Sequence, residues 1–193
     1  MILDWLAREG WIIASWWALV TLAGVAAMPL CARLLGALPD KGYTLARTVG
    51  LLIVGYVFWA LGIMGFLRNN PSSAVFAWVI VIIGGWIAYY ALPGERPRWA
   101  EWWRENRQVV IVGEVLFIVL LVSWALVRAH NPESFTTEKP MELAFMSAVQ
   151  RSETLPPNDP WMAGYPISYY HFGYIMAGTL ANLSGVSSSM GFG

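Results

Sequence analysis

The chemistry-bearing residues of this chain gather in one stretch, His130 to Tyr174, which reads HNPESFTTEKPMELAFMSAVQRSETLPPNDPWMAGYPISYYHFGY. It contains Glu133, Glu138, Glu142, Glu153 and Asp159, both histidines (His130 and His171) and a run of tyrosines, and it is the one long polar segment between apolar runs. Glu138 and Glu142 stand four apart, so on a helix they share a face. Their mutual repulsion favours holding a proton, and the positive end of a helix dipole opposes that. Such a pair can supply a general base, or the charge that holds a cation. It can equally be two solvated capping residues of a surface helix. Glu133, which follows Asn131-Pro132, is the second candidate. Lys139 can meet a phosphate or simply be exposed. His130 and His171 lack metal-ligand spacing such as H-x-x-x-H, which argues against a zinc site. There is no phosphate-cradling glycine loop and no nucleophile elbow.

The elements that must position this stretch are apolar. Of the 193 residues 58% are hydrophobic and only 12% are charged, about half the charge share of a soluble domain. The apolar residues come in blocks of about 20, the length that crosses a bilayer as a helix. The fold class is therefore all-α, a polytopic transmembrane helical bundle of about five spans. The formal net charge is zero, which gives no support for nucleic acid as a partner. The single cysteine, Cys31, lies in an apolar run and reads as a packing residue.

The first span is expected at 10–32, with Pro29 kinking or ending it. Residues 33–47 read as a connection, 48–67 as the second span and 74–92 as the third. In the connection 93–107, Trp99, Trp102 and Trp103 form an aromatic helical face among Arg96, Arg98, Arg104 and Arg107. Tryptophan and arginine in that arrangement suit the headgroup level, so an interfacial helix is expected at about 98–107. The fourth span, 109–127, contains Glu114, whose carboxylate is expensive there unless paired or protonated; it can serve function, sit near the headgroups or hydrogen-bond a neighbouring helix. The fifth begins at about Tyr170.

With the amino terminus outside, seven of the twelve basic residues fall in two short cytoplasmic connections, as the positive-inside bias requires. The same count puts the loop 128–169 outside. Within it, Thr137, Pro140 and Glu142 form a helix start. Met141, Ala144, Phe145 and Ala148 repeat at helical spacing, so a surface amphipathic helix is expected, ending before Pro156-Pro157. Asn158-Asp159-Pro160 reads as a turn and Trp161 as an interfacial anchor.

The run EKPMELAFMSAVQRSETLPPNDPWMAGYPISYYHFGY resembles the "YYY" family, multi-pass membrane proteins of unknown function. Here the name-giving cluster reads Tyr169-Tyr170-His171, with Tyr174 following, so a histidine stands in the third place. That family is similar in turn to the GT-C glycosyltransferases, which use lipid-phosphate-linked sugars. In those enzymes the first large extracytoplasmic loop carries an acidic residue, then a surface helix, then a proline-containing turn. Glu138, the helix from Pro140 to about Ser152, and Pro156-Pro157 fall in that order. The resemblance makes Glu138 the leading catalytic candidate, with Glu142 beside it and Glu133 behind. It also makes Lys139, Arg151 and His171 candidates for binding the carrier phosphate.

By this reading residues 1–108 are an amino-terminal membrane region and 109–193 the start of a transferase-like core, the whole being an amino-terminal portion of a longer protein. The implied activity is transfer of a sugar from a polyprenyl-phosphate carrier at the extracytoplasmic face of the plasma membrane. The implied partners are the lipid bilayer, the lipid-linked sugar donor and other membrane subunits; nothing in the residues specifies a divalent cation. The alternative is a non-catalytic scaffold subunit of a larger complex.

Overall fold

The computed structural model describes residues 2–94, 96–130 and 139–191, the side chains of 2–8 excepted. Seven helices follow in order: α1 (Ile2–Leu34), α2 (Tyr43–Ile63), α3 (Pro71–Ala91), α4 (Trp99–His130), α5 (Lys139–Arg151), α6 (His171–Ser184) and the single turn α7 (Ser188–Gly191). Among the described residues four segments are long and apolar enough to cross a membrane: Glu9–Leu34, Tyr43–Ile63, Pro71–Ala91 and Trp99–His130. The chain is a helical membrane bundle.

The helix boundaries have local causes. Asn70 caps α3 by accepting from the Ser73 N–H at 2.9 Å, and Pro71 takes the first position, where its missing N–H is harmless. Before α2, Asp40 accepts from the Gly42 N–H (3.1 Å), the Thr44 N–H (2.9 Å) and the Thr44 hydroxyl (2.7 Å), while Gly42 takes φ 81°. Burial works to raise the Asp40 pKa, but these hydrogen bonds outweigh it and hold the carboxyl below its ordinary value. The turn places the start of α2 at Tyr43, five residues earlier than the apolar pattern suggests. Pro29 does not end α1, which continues to Leu34. The interfacial segment expected at 98–107 forms the first turns of α4, continuous with the span.

The fifth apolar segment forms α6, a helix of 14 residues, short of the roughly 20 needed to cross a bilayer. Gly185, at φ 67°, turns the chain back through the left-handed conformation that glycine adopts without strain. α6 packs against α1, α2 and α3 instead of standing beside them as a further full span.

Lipid tails are as apolar as leucine, so helices in a bilayer associate by close packing. The α1–α2 seam shows it: a Cβ placed on Gly50 would lie 2.1 Å from the Ala23 carbonyl oxygen. Nearby, Ala27, Cys31 and Ala46 are buried together. A second cluster joins α2 and α3 to the polar half of the chain through Phe58, Ala74, Ala77, Val149, Leu155 and Ile175. α4 is different. Almost none of its apolar stretch is covered, and Leu120 and Trp124 are 64% and 62% exposed.

Candidate functional site

Two polar constellations stand out, one inside the bundle and one at its end. Inside, Arg47 on α2 donates from Nη2 to Glu114 Oε2 on α4 at 2.5 Å and to Thr21 Oγ1 on α1 at 3.1 Å. The Tyr43 hydroxyl donates to the other carboxylate oxygen of Glu114. The Arg47 guanidinium also lies 4.4 Å from the centroid of the Phe117 ring, a cation–π contact. Glu114 thus finds the partner that its place in a span demands, and three helices meet there. Arg47 and Tyr43 are the residues that sequence reasoning missed. The apolar pattern puts both in a connection, and only the early start of α2 makes Tyr43 its first residue and sets Arg47 one turn inside it. Their i, i+4 spacing was the available signal.

At the same end of the bundle, Arg33 ties the end of α1 to the end of α3 by donating to the carbonyls of Leu92, Pro93 (2.7 Å) and Gly94 (3.2 Å). The Trp102 indole donates to the Asp40 carbonyl at 3.1 Å, and its ring lies 5.8 Å from that of Tyr43. Trp99 stacks on Tyr89 at 6.0 Å. The tryptophan face of the 98–107 segment therefore packs largely on the bundle itself, with Trp103 left half-exposed.

The opposite end carries the platform built from α5, the loop 152–170 and α6. Asn69, in the α2–α3 turn, fixes it. The Asn69 side-chain amide donates to the carbonyls of Val149 (2.6 Å) and Ser152 (2.7 Å), and the Asn69 N–H donates to Glu153 O (2.9 Å). One buried amide thus satisfies carbonyls that the end of α5 would otherwise leave open. α5 lies on α6 so closely that a Cβ on Gly178 would come within 2.7 Å of Val149 Cγ1. Farther along, Gln150 donates to Val186 O (2.9 Å) and Ser147 shares a hydrogen bond with Ser188 (2.7 Å).

The buried face of α5 is Phe145, Met146 and Val149. It is turned about a quarter of the circumference from the expected stripe Met141, Ala144, Phe145 and Ala148, of which only Phe145 is buried. The groove offered by Gly178 decides the rotation. Glu142 stands three and four residues before Phe145 and Met146, so it lies on the packed face, half-buried, at its amino-terminal end. Glu133 and Glu138 lie outside the described residues. Lys139 is half-buried in the same turn as Glu142. Arg151 is exposed at the other end of α5, about 18 Å away along the axis, so these two cations do not form one phosphate cradle. His171, at the start of α6, accepts from the Trp59 indole N–H through Nε2 at 3.0 Å, which leaves Nδ1 as the protonated nitrogen of the neutral ring.

Around Phe145 the platform gathers aromatic rings: Trp161 at 5.2 Å, Tyr174 at 5.4 Å and Tyr169 at 6.2 Å between centroids. Tyr170 adds to Tyr169 at 4.2 Å and is 75% exposed. The arrangement places a half-buried carboxylate, an ammonium and several ring faces on one rigid support. Those groups can accept a proton, meet an anion and stack on a flat apolar or sugar surface.

No curated protein matches the chain, and no solved structure does. The model of a family described as "Uncharacterized membrane protein (DUF2298)" matches residues 53–193, a region that begins within α2 and takes in α3, α4 and the whole platform. The chain therefore belongs to that family of multi-pass membrane proteins.

Proposed function

We propose that the platform is the donor-side part of a glycosyltransferase-like site, which moves a sugar from a polyprenyl-phosphate carrier at the extracytoplasmic face. The observation that carries this reading is the docking of α5, with Glu142 half-buried on its packed face and a proline turn leading into α6. In the order that the GT-C resemblance implies, the acid before the helix is Glu138, one residue ahead of α5, and Glu142 stands beside it in the first turn. In the reaction an acceptor hydroxyl attacks the anomeric carbon of the sugar. The bond from that carbon to the carrier phosphate oxygen breaks, and the polyprenyl phosphate leaves with the electron pair. The hydroxyl proton goes to Glu138 or Glu142 as general base, a role worth about 100- to 10,000-fold in rate. Lys139, in the same turn, meets the phosphate; Arg151 and His171 are the remaining phosphate candidates.

The sidedness rests on the basic residues in and beside the α1–α2 and α3–α4 turns, Arg33, Lys41, Arg96, Arg98, Arg104 and Arg107, which favour the cytoplasm. Thiol reagent applied outside intact cells should label a cysteine placed at Ser134, and labelling only from the cytosol would reverse the topology. For the activity, the protein in native-lipid nanodiscs is given a polyprenyl-phosphate sugar and candidate acceptors. Glu138→Gln and Glu142→Gln are compared with the wild type at equal expression. Loss of transfer in either variant supports the base assignment, and wild-type rates in both remove it.

The uncovered apolar face of α4 favours a second reading, a non-catalytic scaffold subunit of a larger membrane complex. Stoichiometric co-purification of other subunits, with no lipid-linked sugar bound, would select that reading.

A further inference from the structure

Between Asp159 and His171 the chain carries no charged residue; it reads PWMAGYPISYY. This stretch is not slack. Asn158 and Pro166 form an antiparallel bridge, Asp159 N–H donates to Tyr165 O at 2.9 Å, and Tyr165 N–H donates to Met162 O at 3.1 Å. Asp159 Oδ1 accepts from the N–H groups of both Trp161 (2.8 Å) and Met162 (3.0 Å). An aspartate that takes two successive backbone donors fixes a turn. The base of the hairpin is rooted, because Ile167 is buried and its N–H donates to Pro157 O at 2.8 Å.

The tip that this turn holds out is apolar. Trp161, Met162 and Tyr165 are 60%, 59% and 63% exposed, and every residue from 160 to 166 is exposed. Trp161 rests against Phe145 yet leaves most of its surface uncovered, and an exposed apolar patch of this kind marks a contact surface. Tryptophan and tyrosine, with an apolar body and a polar atom at the edge, favour the boundary between headgroups and acyl chains. The root of the hairpin is tied to the end of the bundle, because Asn158 N–H donates to Ser152 Oγ at 3.0 Å and Asn69 of the α2–α3 turn donates to Ser152 O at 2.7 Å.

We infer that the hairpin 158–166 is an interfacial anchor. It dips Trp161, Met162 and Tyr165 into the headgroup–acyl boundary and holds the α5–α6 platform down on the membrane. With no basic residue at the tip, the contact depends on apolar burial and not on lipid charge, so it forms on zwitterionic phosphatidylcholine. The inference rests on the membrane fold alone and does not need the sugar-transfer reading.

The test uses the full chain with Cys31→Ala, so that a single introduced cysteine carries an environment-sensitive NBD probe. Met162→Cys and, as a second position, Tyr165→Cys are labelled and placed in phosphatidylcholine nanodiscs, with Glu153→Cys as an exposed control. Monodisperse elution on gel filtration selects the folded variants. The expected result is blue-shifted emission at 162 and 165 and severalfold stronger quenching by shallow doxyl-labelled lipid than by aqueous iodide. The probe at 153 should show the reverse. Emission at 162 and 165 matching that at 153, quenched by iodide alone, overturns the anchor. So does protection from both quenchers, which would place the tip against protein. Equal insertion with and without anionic lipid is expected, and insertion only with anionic lipid refutes the apolar mechanism.

Discussion

Consider the removal of one partner from the Arg47–Glu114 pair. Taking one charge from a buried pair costs about 3–5 kcal/mol, because the other stays behind uncompensated. On insertion scales a lone charge costs at most about 2.5–3.5 kcal/mol, the value at the centre of a membrane helix, and Arg47 stands only one turn from the start of α2. The two side chains keep 19% and 26% of their exposure, which argues for the lower end, about 3 kcal/mol for Glu114→Leu or for Arg47→Met. Removing both takes away the attraction and the orphan charge together, so the double variant should return to within about 1 kcal/mol of wild type. The readout is built in. Cys31 is the one cysteine of the chain and is 1% exposed, beside Ala27 and Ala46 in the α1–α2 seam. Its reaction with a thiol dye during detergent-titrated unfolding reports loss of the seam that Arg47 borders. Single effects that are small and simply additive, each within about 0.5 kcal/mol, would show no coupling. The claim that this pair fixes α4 would then be wrong. Beyond the contacts of Trp99 and Trp102 in its first turn, α4 has little else to hold it, since the apolar side chains of its span face outward.

Two further perturbations address the platform and the turn before α2. Asn69→Ala strips partners from the carbonyls of Val149 and Ser152; at about 1–3 kcal/mol for an unsatisfied buried group, amide hydrogen exchange in α5 should accelerate while exchange in the α1–α2 seam stays unchanged. Equal acceleration in both would mean that the platform is not a separable unit. Asp40 has its folded pKa held below the ordinary 3.8, so its contribution is complete above that value and is lost as pH falls through the folded one. The stability advantage of wild type over Asp40→Asn should therefore be flat near neutral pH and shrink only on acidification below about 4. An advantage that instead grows on acidification would contradict the hydrogen-bond assignment.

What could be read from the chain before folding was whatever depends on near neighbours. The four spans follow from block length and charge depletion, because the demand for an apolar surface along about 20 residues is set residue by residue. The helix α5 was legible for the same reason: its start and its proline stop are local, and Lys139–Arg151 lies within a residue of the expected bounds. That Glu114 is costly in a span unless paired or protonated was also plain from its position. The identity of that partner was not, since Tyr43 and Arg47 lie 71 and 67 residues away in sequence, and no periodicity reports on which helices touch. Tertiary packing likewise chose the buried face of α5, through a groove that Gly178 opens on another helix. It also turned the last apolar segment back at Gly185, so that α6 lies on α1, α2 and α3. Hydropathy measures what a segment tolerates around it; which neighbour fills that surroundings is settled only when steric fit and hydrogen-bond geometry are satisfied in three dimensions.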